Sequence, residues 1–466
     1  MTGPGARMVR AGVGAAVAGL FVVAIAAAAV VPWPTTAREP VAVTARPDPT
    51  ASILSCAGPL LAVGRDATDA ARLSEVASQD IAAATGTDAQ EATGERLAAA
   101  DVSGGSGPDA LTALPQDGER TDLAAAGSAT ADETDLRGFA ASVCAPPLME
   151  SWLVGGSGVT GAADLVLLAN PAGVAAEVDL TVFGADGETT PASASGIIVP
   201  PRTQRVLPLA ALALGEESPV VRVNARGAPV QAALQTSITR TLVTGGVDQV
   251  GTTAAPDTTQ VIPSFTVTVT PGEAGASEPA TMLRVLSPSG DAEASVRVVP
   301  LQGGTEVSET LPLAGGVPAE LELGGLAAGA YRLEVTSEEP VVTALWTTTG
   351  FGEGADFAWH TAPTVLGVPS LVAVAAGGPA PVLSIANDGD DEATVRLAGV
   401  GEEASEVRIA PGTTVRVPVE DASVYRISAE GGAVRANVTY AASGALAGYD
   451  VLPGDAAAEP VVVFPQ

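Results

Sequence analysis

The chain has 466 residues, with 53 acidic side chains against 22 basic ones and a formal charge of −31, a balance that repels phosphate backbones and excludes nucleic acid as a partner. Hydrophobic residues at 47% exclude wholesale disorder, and an aromatic share of 3% leaves few faces for stacking sugars or bases. Every basic side chain is arginine, which excludes Schiff-base and P-loop lysine chemistry together.

In chain order, residues 1–10 carry Arg7 and Arg10, and residues 11–31, "AGVGAAVAGLFVVAIAAAAVV", run without a charge. At ~1.5 Å per residue that run matches a ~30 Å hydrocarbon core and predicts a transmembrane helix or signal anchor. The flanking arginines place residues 1–10 in the cytoplasm and the bulk of the chain outside, attached to the cell membrane by a single pass. Cleavage near Ala27-Ala28-Ala29, giving a secreted chain, is the alternative, but the run exceeds the usual ~7–15 residue signal core. Residues 32–51 follow as a proline-rich spacer, stiff and extended.

Residues 52–150 contain the two cysteines, Cys56 in "ILSCAGP" and Cys144 in "ASVCAPP". An even count in an exported chain predicts a disulfide, contributing about 4 kcal/mol on chain-entropy grounds. "ILSC" has the faint form of a lipobox but lies well beyond the end of the apolar segment. Between the cysteines the chain is rich in Ala, Gly, Thr, Asp and Glu, which predicts a loop-rich unit of mobile loops or weakly held strands.

After Cys144 repeats appear. "LVLLANPAGVAAEVDLTVFGADG" (Leu165–Gly187) has counterparts in "MLRVLSPSGDAEASVRVVPLQGG" (Met282–Gly304) and "VLSIANDGDDEATVRLAGVG" (Val382–Gly401), each two alternating strands around an Asx, Ser or Pro turn. Later segments match too, "APVQAALQTSITRTLVTGGVDQV", "EPVVTALWTTTGFGEGADFAWH" and "GAVRANVTYAASGALAGYDVL", each a strand, a turn and a return strand, and put Asp248, Asp356 and Asp450 in corresponding places. A period of about 100 residues with several short strands predicts an all-β chain of tandem immunoglobulin-like sandwiches over residues 151–260, 261–366 and 367–466. Alternation turns Leu165, Leu167, Val178, Leu180 and Val182 inward and leaves Asp164, Glu177 and Asp179 in water.

Cys56-Ala57-Gly58-Pro59-Leu60, Cys144 with the following "ESWLVGG" (Glu150–Gly156), the Asn-Pro hairpin and "DFAWH" (Asp356–His360) together resemble an actinobacterial family of exported, membrane-anchored proteins. That family is catalogued only as a domain of unknown function (DUF5719). The resemblance implies a cell-envelope setting and no functional residues.

His360 is the sole histidine, so a histidine-based triad has one candidate base. Trp346, Phe351, Asp356, Phe357 and Trp359 lie near it in sequence and form with it a candidate ligand patch for a glycan or peptide. The plainer reading makes Phe357 and Trp359 core residues of the second sandwich. The "NDGDDE" stretch, Asn387 to Glu392, is dense in oxygen ligands for calcium but lacks EF-hand spacing, and the plainer reading is a hairpin turn with solvated carboxylates. No cofactor, metal site or catalytic set is selected by any motif. The sequence therefore predicts a non-catalytic, membrane-tethered scaffold or interaction protein of the bacterial envelope, in contact with other envelope proteins or cell-wall polymer. An enzyme or accessory factor for envelope glycans is the alternative.

Overall fold

A computed structural model describes residues 4–30, 43–45, 48–66, 69, 71–86, 91–241, 243–268, 280–399, 402–454 and 461–463. The chain forms two compact units, one of residues 1–47 with 458–466 and one from Asp48 to Ala457. In the first unit the apolar run lies in a helix, Pro4–Val30, and Val43–Ala45 pairs antiparallel with Val461–Val463. The helical side chains described, Val9 and residues 12–27, are all exposed. Among the described residues no helix is long and apolar enough to cross a membrane. Most of the proline-rich spacer falls outside the described residues.

The second unit is built of sheets. Its last eight strands, from Ser370–Val374 to Ala445–Asp450, make two facing four-stranded sheets. Numbered in chain order, the strands run first-sixth-third-fourth in one sheet and fifth-second-seventh-eighth in the other. The same order holds from Glu150–Val154 to Val243–Val250, where two short strands, Gly187–Thr189 and Ile197–Val199, share the fourth place on the third strand. It holds again from Asp257–Val267 to Phe357–Thr361, where one long strand, Gly329–Thr348, passes from the sixth place of one sheet to the seventh of the other. We call these the first, second and third sandwiches in chain order. Period-two alternation does the folding: on the strand Ala176–Gly184, Val178, Leu180 and Val182 are buried while Glu177, on the opposite face, stays exposed.

The N-terminal residues depart from expectation. Instead of a loop-rich unit, residues 52–143 hold eight strands, Ser52–Ser55 through Arg137–Val143. Ser52–Ser55, Ser106–Ala113 and Thr93–Ala99 are ordered as first-sixth-third; Asp80–Thr85, Leu123–Asp132 and Arg137–Val143 are ordered as second-seventh-eighth. This is the same pattern without its fourth and fifth strands, and with a hairpin, Leu60–Val63 and Leu73–Ala77, inserted after the first. Small side chains bury little surface by themselves, but Ala124, Ala125, Ala126, Ala140 and Ala141 are buried because ladder partners and neighbouring sandwiches close over them. Cys56 and Cys144 form the disulfide, directly after the first and eighth strands, and so tie this module's two thin sheets together.

The four modules are in mutual contact. Thr203–Pro208 pairs in parallel with Thr93–Ala99, which carries one sheet through seven strands from the first sandwich into the N-terminal module. The eighth strands, Arg137–Val143, Val243–Val250, Phe357–Thr361 and Ala445–Asp450, pack against one another in a closed circuit. Phe139, on the first of these, stacks edge-on against Tyr440 of the third sandwich.

Candidate functional site

The residues of the expected ligand patch separate into three places. Asp356 goes to the centre of the circuit, immediately before its own eighth strand. Its Oδ2 accepts the backbone N–H of Phe139 at 3.0 Å and of Leu446 at 3.1 Å, and its Oδ1 accepts that of Val247 at 3.2 Å. The N–H of Phe357 also turns to it. One carboxyl group thus takes a donor from the eighth strand of every module. Burial pushes it up to about 7 against the pull of these donors. Gly138 and Gly246 make the approach feasible: at φ 144° and 115°, a Cβ on either would sit 2.5 and 2.6 Å from Asp356 Oδ1.

Asp248 and Asp450 stand at other registers than Asp356, contrary to the correspondence expected from sequence. The aligned seventh-strand residues Gln235, Trp346 and Thr439 face Gln249, Trp359 and Gly448. Asp356 therefore corresponds to Gly246 and Ala445. Asp248 is buried, with Oδ2 accepting Trp359 N–H at 2.7 Å and Oδ1 accepting Gln249 N–H at 2.9 Å. Burial holds its carboxyl well above the usual range, with Asp356 adding to the rise. Asp450 accepts the Thr361 hydroxyl at 2.7 Å, joining the third sandwich to the second, and burial pushes it up to about 8.

His360 is buried against Gly448, whose added Cβ would meet Nδ1 at 2.8 Å. Its Nε2 lies 3.3 Å from Thr347 Oγ1, and Nδ1 has no partner. Burial lowers it to about 4, so the ring is neutral at pH 7. Among the described residues no carboxylate bonds to it, and it lines neither of the two cavities described below.

Trp346, Phe357 and Trp359 do come together, but not in the core of the second sandwich. They extend the core of the first sandwich across the junction between the two. Trp359 is covered on its ring by Gly155 and by the Arg284 guanidinium, 4.8 Å from the ring centroid. Phe351, half-buried at the edge, lies under Arg240 at 5.1 Å. Trp346, Phe357 and Trp359 border a cavity of about 170 Å³ that sequence reasoning missed. Its polar wall is Ser157, Asp164, Thr236, Arg284 and Glu320. Asp164, expected in water, is 4% exposed; its Oδ1 accepts Ser237 N–H at 2.8 Å and its Oδ2 accepts Ser157 N–H at 2.7 Å. Burial pushes it up to about 7. Arg284 spends its donors on Glu320 and on the carbonyls of Gly156, Pro219 and Glu217. A wider cavity of about 460 Å³ at the seam of the N-terminal module and third sandwich has walls such as Leu54, Leu123, Leu371 and Val451, with Arg120, Asp122 and Asp450, all partnered, among its lining.

The Asn387–Glu392 stretch is a closed turn. Asn387 Nδ2 donates to the carbonyls of Asp391 and Ile409, its Oδ1 accepts Gly389 N–H, and Asp388 pairs with Arg435 at 2.8 Å. Asn170 does the same in the first sandwich, donating to Val174, Val199 and Pro200 and accepting Ala172 N–H. Among the described residues no three His, Cys, Asp or Glu side chains converge as a metal site would require.

Compared with known families, residues 98–420 match the model of a family of unknown function, DUF5719. No curated protein matches the chain.

Proposed function

Because the chain belongs to DUF5719, a family of unknown function, membership supplies no activity, and we propose that the protein is a non-catalytic, membrane-tethered extracytoplasmic scaffold or interaction protein of the bacterial cell envelope. One observation carries the reading: the side chains best suited to chemistry are consumed in joining modules. Asp356, Asp248 and Asp450 accept hydrogen bonds across module boundaries, and His360 is buried with no carboxylate partner. The four modules are read as immunoglobulin-like sandwiches in tandem, the first of them truncated and held by its disulfide. The exported setting accords with that disulfide, which persists in oxidising compartments.

Tethering is assigned to the helix Pro4–Val30, whose described side chains, Val13, Leu20, Phe21 and Ile25 among them, are apolar and exposed. Partners are expected among envelope proteins or cell-wall polymer. Crosslinking in intact cells, followed by fractionation and identification of attached species, tests both parts. Recovery in the membrane fraction, with partners and with the Asp48–Ala457 unit open to external protease, is the expected result. A cytoplasmic or partnerless chain would overturn the proposal.

A further inference from the structure

We propose that the cavity between the first and second sandwiches binds a small primary ammonium compound with an apolar body, its three N–H donors taken by the Asp164 carboxylate and the Thr236 and Ser157 hydroxyls. Thr236 is the observation that points to a ligand. It is 1% exposed, yet its Oγ1 has no hydrogen-bond partner. A buried hydroxyl left unpaired costs roughly 1–3 kcal/mol, so its retention calls for an occupant. On the strand Gln231–Arg240 it shares a face with Leu234 and Ile238, both of which pack on the first sandwich's core, and of that face Thr236 and Ile238 line the cavity.

The remaining acceptors are spare. Each Asp164 oxygen accepts one backbone N–H, and a carboxylate oxygen accommodates more. Ser157 Oγ makes only long contacts, donating to Glu216 O at 3.3 Å and accepting Val159 N–H at 3.4 Å. Asp164 Oδ2 and the methyl of Thr236 approach each other over Gly156, where an added Cβ would lie 2.8 Å from the first and 3.4 Å from the second, so the two side chains share one stretch of the cavity wall.

Charge selects the head group. Asp164 and Glu320 face Arg284 alone, so the ionised site carries one uncompensated negative charge. From the neighbouring loop, Glu217 offers Arg284 only its carbonyl, while the Glu216 carboxylate is turned to Ala185 N–H. Arg284 has no donor left for an anion. Size and lining select the body: Ile238, Met282, Trp346 and Phe357 form an apolar wall, and a cavity near 150 Å³ elsewhere admits one benzene ring, against about 170 Å³ here. Burial pushes Asp164 up to about 7, so its charge, and with it the attraction for a cation, grows between pH 6 and pH 8.

Calorimetric titration of the full chain with benzylamine and with its neutral twin, benzyl alcohol, tests the assignment. The expected result is one site, with the amine bound about tenfold tighter than the alcohol at pH 8 and the gap narrowing at pH 6. Thr236→Val should weaken the amine about fivefold or more while the unliganded protein melts no lower than the parent, because an orphaned hydroxyl has been removed. Asp164→Asn should erase the preference for amine. Equal affinity for amine and alcohol, the absence of saturable heat, or an unchanged affinity in Thr236→Val would each overturn the proposal. None of these outcomes bears on the scaffold reading, which rests on the module junctions.

Discussion

Replacing Asp356 by glycine tests the centre of the fold. The variant leaves the N–H groups of Phe139, Val247 and Leu446 without their acceptor. At roughly 1–3 kcal/mol for each orphaned donor, the loss is about 3–9 kcal/mol, comparable with the whole stability of a typical domain at ~5–15 kcal/mol. The hole it opens is a nest of four converging N–H groups, which is an anion site. Formate should therefore restore stability in Asp356→Gly, by about 2.7 kcal/mol at a hundred times its dissociation constant, and leave the parent unaffected. The parent itself should depend on pH in a set direction. Its folded carboxyl sits at about 7 against an unfolded value of 3.8, so its contribution is complete below pH ~4 and is lost as pH rises through ~7. The linkage amounts to about 4 kcal/mol at 1.36 kcal/mol per unit. Because the acidic surface also repels itself more at high pH, the informative quantity is the difference between parent and variant in urea midpoints at pH 5 and pH 8. A variant as stable as the parent and indifferent to formate would refute the reasoning.

Loss of the disulfide in Cys56→Ser or Cys144→Ser should cost about 2–5 kcal/mol and expose the N-terminal module to protease before the sandwiches, as limited proteolysis would record. Asn170→Ala and Asn387→Ala should each lower stability by about 1–3 kcal/mol, since each unpairs the carbonyls that close its turn; additivity in the double variant, measured by denaturation, checks that the two turns are independent. His360→Leu should stay within about 1 kcal/mol of the parent at pH 7 because Nδ1 has no partner to lose. The parent histidine, lowered to about 4 from 6.5, supports the fold above pH ~6.5 and withdraws that support as pH falls through ~4, so the leucine variant should resist acid better in melts at pH 4.5.

What the sequence revealed was local. Alternating strands and the Asn and Ser residues that close hairpins after the second strand are signals carried within a few residues, and Asn170, Ser287 and Asn387 each bond backbone within four residues; the cysteines, 88 positions apart, were legible only because there are two of them. What it concealed depends on distance along the chain. Phe139 and Asp356 are separated by 217 positions, and nothing near either residue announces the other. Asp164 precedes its strand, where alternation leaves a carboxylate in water; it is buried because the second sandwich brings Arg284, Trp346 and Trp359 over it. The N-terminal strands were hidden for a third reason. Their alanines carry weak strand preference, and the ladders they join are completed by ladder partners and by neighbouring modules.

The circuit of eighth strands explains why one acid suffices where four repeats meet. The residues just before the converging donors are Gly138, Gly246, Asp356 and Ala445, one from each module. Register places the last three at equivalent positions, each three residues before the partner of Gln235, Trp346 or Thr439. Four repeats present four equivalent N–H groups to a common point, and left alone these would be buried donors without acceptors. Acids at two such positions would put like charges in contact, so repetition of the sequence cannot solve the problem that repetition of the fold creates. The chain breaks its own symmetry there, with a carboxyl in one module and small residues in the others, two of them glycines that admit its oxygens. It follows that exchanging the roles, with Ala445→Asp placed in Asp356→Gly, should recover part of the lost stability, since Ala445 already carries a Cβ and lies outside the left-handed region that Gly246 occupies. Either carboxyl alone would then be tolerated, whereas Ala445→Asp in the parent, which brings two acids to the same point, should fold only at low pH or not at all. Equal stability of that two-acid variant at pH 8, measured by urea denaturation, would show that the four donors do not share a centre.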